Sequence, residues 1–269
     1  MNASRWSARR DAFRKLHESG CFVIPNPWDV GSARWLAHRG FKALASTSSG
    51  YAFSRGHADG AIGVDEVLHH LRELVEATEL PVNADFENGH AEDLDGLAAN
   101  VRRCVETGVA GLSIEDAGSD GMYHFDAAVA RIRAARGAID ATGEDVMLVG
   151  RADGLFHGQS DMGEIVRRIA AFAQAGADCL YAPGVSTPEQ IRAVVKAAAP
   201  KPVNVLMGPA AKLGFDVLAD LGVRRISVGG ALALAAWAGF TKAVDGLAAE
   251  RFDGFAFTVS HADLGKLFG

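Results

Sequence analysis

Apolar residues in this chain gather into short continuous runs, and between those runs they recur with the spacing of amphipathic helices. The runs predict eight strands, at residues 22–24, 43–46, 82–84, 111–115, 146–151, 178–181, 202–205 and 225–228. Strands that are apolar throughout, rather than alternating, indicate a parallel sheet covered by helices. The intervening stretches predict helices at 5–19, 29–38 (capped by Asp29), 64–78, 94–107, 125–141, 163–175, 188–198, 209–221 and 231–249. Gly20, Gly40 and Gly108 supply C-terminal stops. Eight strand–helix units fit a closed (β/α)8 barrel better than an open doubly wound sheet. The expected architecture is therefore α/β, a single TIM-barrel domain over residues 1–269 with a short tail after the last helix. No linker, low-complexity segment or Gly-x-Gly-x-x-Gly fingerprint divides it.

Composition narrows the partners. Hydrophobic residues make up 49% of the chain, enough for one large core. A formal charge of −6 and the lack of any basic run argue against nucleic acid. The first residues lack the apolar stretch of a signal peptide, and no apolar run is long enough to span a bilayer. Cys21, Cys104 and Cys179 are far apart, odd in number and without metal-ligand spacing. Reduced thiols filling a core, in a cytoplasmic protein, are the expectation.

In such barrels chemistry gathers at the carboxyl ends of the strands. Those ends carry Asn26, Ser48-Ser49-Gly50, Asp85 with Glu87, Glu115-Asp116, Arg151 with Asp153, Pro183-Gly184 and Asn204. Asp85 and Glu87 are two residues apart, so both carboxylates leave one face if the strand continues that far. Glu115, and Asp59 from the loop after the second strand, bring the acids on this rim to four. Four carboxylates repel unless a cation offsets them, and hard oxygen donors favour Mg²⁺ or Mn²⁺. Mg²⁺ keeps several waters, so Asp85 is expected as the one direct ligand, with the other acids holding coordinated waters. Asp116 or Asp153, taken alone, reads better as a helix N-cap. Arg151 is the one strong cation among these ends, and two readings stay open: an ion pair with a rim acid, or a fork for a substrate carboxylate or phosphonate. Ser48-Ser49-Gly50 reads either as a plain turn or as an anion nest.

Several of these segments together resemble the isocitrate lyase and phosphoenolpyruvate mutase superfamily. They are Asn26-Pro27-Trp28-Asp29, Ser49-Gly50, residues 56–59, residues 85–89, Ser113-Ile114-Glu115-Asp116, Gly150-Arg151-Ala152-Asp153 and Pro202-Val203-Asn204, in order over nearly the whole chain. The resemblance implies a Mg²⁺-dependent barrel acting on 2-oxo acids or their phosphono or hydroxy relatives. By position, Asp85 would bind the metal, and Asp59, Glu87 and Glu115 would reach it mostly through water. Ser49, Gly50 and Arg151 would hold the substrate carboxylate, with Ser48 and Asn204 as further substrate contacts. The resemblance also implies a homotetramer in which a neighbour takes the last barrel helix, here 231–249. That helix is apolar nearly all round, which suits an interface. Two features depart from the pattern. Glu87 stands where many members have Asp. The loop Ala117-Gly118-Ser119-Asp120-Gly121-Met122-Tyr123-His124 lacks the Lys-Lys-Cys-Gly of the lyases and the Lys and Asn of the mutases.

The leading functional reading is a Mg²⁺-dependent carbon–carbon lyase acting on a small 2-oxo acid through a metal-stabilised enolate. Oxaloacetate decarboxylation is the model reaction, because loss of CO₂ needs no base. Arg151 and Glu115 are the expected catalytic groups, with Tyr51 and His124 as proton carriers. For His124 a surface position at a helix start is the competing reading. The alternatives are a C–P bond hydrolase or mutase on a phosphonopyruvate-like substrate, and a non-catalytic 2-oxo acid binder. A Schiff-base aldolase is disfavoured: Lys42 and Lys201 precede strands two and seven, at the wrong end of the barrel, and the other lysines fall on helices or the tail.

Overall fold

The computed structural model of the chain describes residues 5–208, 212–252, 254–255 and 259–269. The barrel strands are β1 (Phe22–Ile24), β2 (Leu44–Ala45), β3 (Val82–Asp85), β4 (Gly111–Glu115), β5 (Met147–Arg151), β6 (Cys179–Tyr181), β7 (Val203–Leu206) and β8 (Arg225–Ser227). Neighbours pair in parallel from β2 through to β8, and β8 pairs with β1. Two hydrogen bonds close the remaining seam: Ala45 N–H donates to the Pro25 carbonyl at 3.0 Å, and Asn26 Nδ2 to the Ser46 carbonyl at 2.9 Å. Asn26 Oδ1 also accepts from the N–H groups of Val228 (3.0 Å) and Gly229 (2.9 Å). One buried amide thus ties the ends of β1, β2 and β8, and the expected (β/α)8 barrel is the fold.

The two-residue period of each strand sorts its side chains. Outward residues such as Val82, Ala84, Leu112, Ile114 and Leu148 join the main core beneath the helices. Inward residues Phe22, Ile24, Ala45, Met147, Val149, Cys179 and Tyr181 form a second core inside the barrel, plugged by Phe13 from helix Ser7–Leu16. The plug explains a glycine: a Cβ on Gly111 would lie 2.8 Å from Phe13 Cε1 and 2.7 Å from Asn83 Oδ1. Arg225 is buried within this interior, with Nε donating to Asn204 Oδ1 (2.9 Å) and Nη1 to Asn83 Oδ1 (3.3 Å). Asp85, Glu115 and Arg151 share the inward parity and end their strands at the carboxyl mouth.

Helix Pro188–Ala198 has its predicted bounds, and most others match within a residue or two. The helix predicted at 209–221 runs only Phe215–Asp220, and residues 209–211 lie outside the described residues. Three elements depart from expectation. Ser48-Ser49-Gly50, read as a turn or an anion nest, opens helix Ser48–Ser54, N-capped by Thr47, whose side chain accepts from Gly50 N–H. It is too short to show an apolar period. The loop after β4 folds into a small hairpin, pairing Ala117–Gly118 with Gly121–Met122. The tail carries helix His261–Phe268, packed on helix Val30–His38. Cys104 and Cys179 are buried as expected, whereas Cys21 is only half-buried. Helix Ala231–Ala248 leaves Leu234, Trp237, Phe240, Val244 and Leu247 exposed on the single chain. Among the described residues no helix is long and apolar enough to cross a membrane.

Candidate active site

β4 and β5 pair so that Glu115 lies opposite Arg151, and the mouth is built around that guanidinium. Arg151 Nη1 donates to Asp85 Oδ1 at 2.8 Å and forms an ion pair with Glu115 Oε1 at 2.6 Å, and Nη2 donates to Asp153 Oδ1 at 2.8 Å. Its Nε and the second oxygen of fully buried Asp153 have no hydrogen-bond partner. Asp85 is braced from the β2 side: its N–H donates to Ser46 Oγ (2.8 Å), and its Oδ2 accepts from Ser48 N–H (3.0 Å). Asp116 braces the site from behind. It accepts from Asp153 N–H (2.7 Å) and from Arg168 Nη1 (3.0 Å), and Arg168 also holds the Tyr123 carbonyl (2.9 Å). Neither Asp116 nor Asp153 is an N-cap.

Glu87 arrives by a route other than the one expected. β3 ends at Asp85, Phe86 turns into the core, and Glu87 adopts φ +46°, in the left-handed region. Such backbone at a non-glycine residue costs on the order of 1–3 kcal/mol and needs support. Gly89, at φ +78°, completes the turn where a Cβ would lie 2.1 Å from Leu97 Cδ1. The strand-parity argument for Asp85 and Glu87 therefore fails, yet the turn delivers both carboxylates to one cavity. That cavity, about 400 Å³, is lined by Asp59, Asp85, Glu87, Glu115, Arg151 and Asp153, together with Ser48 and Ser49.

The electrostatics are lopsided. Burial, then the charges of Asp85 and Asp59, push the Glu87 carboxyl up to about 7. Burial also holds Glu115 well above the ordinary carboxylate range, against the pull of Arg151, and raises Asp59. One guanidinium facing five carboxylates leaves the mouth short of positive charge. Asp59, Asp85, Glu87 and Glu115 present hard oxygen donors to one space, so the residues fit a divalent ion such as Mg²⁺. Among the described residues no three acid, histidine or cysteine side chains form a ready coordination cage. Arg151 lies between Asp85 and Glu115 instead. Few direct protein ligands and several waters is an arrangement Mg²⁺ accepts.

Other predicted site residues lie elsewhere. Asn204 is buried below the mouth, accepting from Arg225 and donating to Ser227 Oγ at 3.0 Å. β7 runs to Leu206 rather than Val205, and Leu206 lines the cavity in its place. Gly50 is packed away from the cavity: a Cβ would lie 3.1 Å from both Trp28 Cβ and Ala233 Cβ. Tyr51 stacks on His70 at 3.7 Å and directs its hydroxyl to Glu66 (3.3 Å). His124 is the N-cap residue of helix Phe125–Asp140 and does not line the cavity. Tyr181, Phe156 and His157, which were not anticipated, also line it. Tyr181 was legible as the last inward position of β6, and its ring lies 5.0 Å from the Arg151 guanidinium. Phe156 and His157 sit in the loop after β5, where no spacing announces them.

Comparison with known proteins gives this mouth a context. Residues 13–248 match the family model described as phosphoenolpyruvate phosphomutase. The chain belongs to that family. It falls within the isocitrate lyase and phosphoenolpyruvate mutase superfamily that its motifs resemble. A crystal structure of a candidate lyase/mutase from Burkholderia cenocepacia J2315 is 43% identical, with a TM-score of 0.94, covering 98% of this chain and 97% of that one. An oxaloacetate decarboxylase from Rhodopseudomonas palustris is 32% identical over 248 residues, 86% of this chain and 82% of the relative. A 2-methylisocitrate lyase from Halalkalibacterium halodurans is 28% identical over 193 residues, 69% of this chain and 63% of the relative. Phosphoenolpyruvate mutase relatives thus include both lyases and mutases.

Proposed function

We propose that this phosphoenolpyruvate mutase family member is a Mg²⁺-dependent lyase that breaks a bond at C3 of a small 2-oxo acid. Oxaloacetate decarboxylation is the model reaction. The observation that carries the reading is the five-carboxylate mouth with Arg151 as its one guanidinium. A divalent ion at the carboxylates would polarise the 2-oxo oxygen and so stabilise the negative charge that reaches that oxygen as the bond at C3 breaks. Asp85, braced by Ser46 and Ser48, would be its direct protein ligand, and Asp59, Glu87 and Glu115 would accept hydrogen bonds from its waters.

Arg151 would stay tethered to Asp153 through Nη2 and turn Nη1 from Asp85 and Glu115 to the substrate carboxylate. Ser48 and Ser49 line the same space. The hairpin after β4 has no cysteine or lysine, and its Tyr123 hydroxyl is engaged by Glu92 (2.8 Å) and Asn88 (3.0 Å). Decarboxylation tolerates that, because no base is needed to start it. The proton that C3 takes up afterwards would come from solvent or the His157 imidazole. The apolar face of helix Ala231–Ala248 suits the subunit contact of a homotetramer, and a cytoplasmic location fits the free thiols. The decarboxylase relative supports this reading over a phosphonopyruvate-cleaving one, which would place a second multiply charged group in an acidic mouth.

The test is a substrate panel with Mg²⁺. Pyruvate should form from oxaloacetate above the metal's own background rate, with negligible glyoxylate or succinate from isocitrate. Rapid isocitrate cleavage would mean that the hairpin supplies an acid–base group; binding of 2-oxo acids without any turnover would make the protein a binder.

A further inference from the structure

The metal-side cavity continues into a second lobe of about 600 Å³, sharing Gly60, Glu87, Glu115, Gly118 and His157 with it. Val64, Asn88, His90, Glu92 and Ser119 are among its other walls. Pyruvate or oxaloacetate has too few atoms to fill both spaces. A longer acid anchored at Arg151 would extend its chain beyond C3 into this lobe.

The charge of the lobe limits what that chain can carry. Donation from the Tyr123 hydroxyl holds the Glu92 carboxyl below its ordinary range, so Glu92 is ionised at neutral pH. Burial holds the His90 imidazole below its usual value, so it is neutral there, and its buried Nε2 has no partner. Among the described residues lining the two spaces, Arg151 is the one permanent cation, and three carboxylates already engage it. Arg131, behind the lobe, spends its guanidinium on the carbonyls of Asn88, Ala91 and Glu92. A second carboxylate or phosphonate in the lobe would face Glu92 and Glu87 with only His157 to answer it. A hydroxyl, by contrast, could donate to Glu92 and accept from Ser119 or an imidazole.

We propose that this lobe is a subsite for the uncharged, hydroxyl-bearing tail of a 2-oxo acid, and that it rejects acids carrying a second anionic group at C5. The proposal rests on the 2-oxo acid reading of the mouth and adds what lies beyond C3. It separates acids whose far charge leaves as CO₂ from acids that would keep that charge inside the protein.

Calorimetric titration of the Mg²⁺-loaded protein with a matched series tests it: pyruvate, 2-oxopentanoate, 5-hydroxy-2-oxopentanoate and 2-oxoglutarate. The hydroxy acid should bind at least tenfold more tightly than 2-oxoglutarate, which has the same chain length. Glu92→Gln, which keeps a hydrogen-bond acceptor for Tyr123, should raise the affinity for 2-oxoglutarate severalfold and so narrow that gap. If pyruvate binds with Mg²⁺ but 2-oxoglutarate matches the hydroxy acid, the lobe assignment is overturned while the reading of the mouth survives. If no acid binds in the presence of Mg²⁺, both fall.

Discussion

Two arginines lie inside the same barrel and are treated in opposite ways. Arg225, deep in the interior, has neutral partners: the amide oxygens of Asn204 and Asn83. Arg151, at the mouth, forms ion pairs with Asp85, Glu115 and Asp153, with Asp59 and Glu87 in the same cavity. Burial lowers the affinity of Arg225 for its proton, whereas the surrounding carboxylates drive that of Arg151 well up. The interior therefore uses a cation to satisfy neutral amide acceptors. The mouth crowds more carboxyl groups around its arginine than one guanidinium can offset, at a cost in stability that packing does not require. Surplus of that kind is what a site for a cation and an anionic ligand looks like before either is bound.

Exchanging the two arginines for uncharged residues should therefore break different properties. Arg151→Ala removes the one guanidinium among the described residues lining the mouth, and truncating such a buried partner costs about 2–5 kcal/mol of binding. Turnover of oxaloacetate should fall by roughly thirtyfold to several thousandfold, on the usual 1.4 kcal/mol per decade. Arg151→Lys should also lose most efficiency, because the two-pronged geometry goes while the charge stays. Unchanged kinetics in both variants would make Arg151 a structural residue. Arg225→Met should leave Mg²⁺ binding intact but orphan two buried acceptors, lowering unfolding free energy by about 2–6 kcal/mol. Denaturant titration checks this, and a stability loss confined to Arg151→Ala would invert the comparison.

The smallest expected effect is on pH dependence. Glu87 titrates near 7 in the folded chain against about 4.5 when unfolded, so the folded state holds its proton more tightly. Its advantage is full below about pH 4.5 and is lost as pH rises through about 7, a change of about 2 kcal/mol after allowing for solvent screening. Glu87→Gln should flatten that alkaline loss in metal-free protein, and Mg²⁺ should flatten it in the wild type. At the other end of the barrel the sign reverses. Burial and Arg225 hold His17 down to about 3, so stability is full above about 6.5 and lost as pH falls toward 3. Melting temperatures across this range in wild type, Glu87→Gln and His17→Gln would show whether each limb belongs to the residue named.

Much of this was legible in the sequence because the relevant signals have short periods. Continuous apolar runs located the eight strands, and their carboxyl ends gathered Asp85, Glu115 and Arg151 without any contact being known. A strand end misplaced by one residue could still change which side chain reaches the mouth. Extending β7 from Val205 to Leu206 exchanges the residue at the mouth and leaves Asn204 one layer down, beside Arg225. Glu87 reached the site through a left-handed turn, which strand reasoning cannot foresee, although Gly89 two residues later was a hint. Helix Ser48–Ser54 was hidden because seven residues of mostly small and polar side chains show no stripe. His157 had no signal at all: its place depends on how the loop after β5 folds back over the barrel.

The central claim is that the surplus carboxylates exist for a divalent cation. Calorimetric titration of Mg²⁺ into the wild type, Glu115→Gln and Asp85→Ala tests it most directly, without depending on any substrate. Saturable binding at one ion per chain is expected in the wild type, weaker binding in Glu115→Gln, whose amide can still accept from a coordinated water, and none in Asp85→Ala. Wild-type affinity in Asp85→Ala, or no binding to the wild type, would contradict the account.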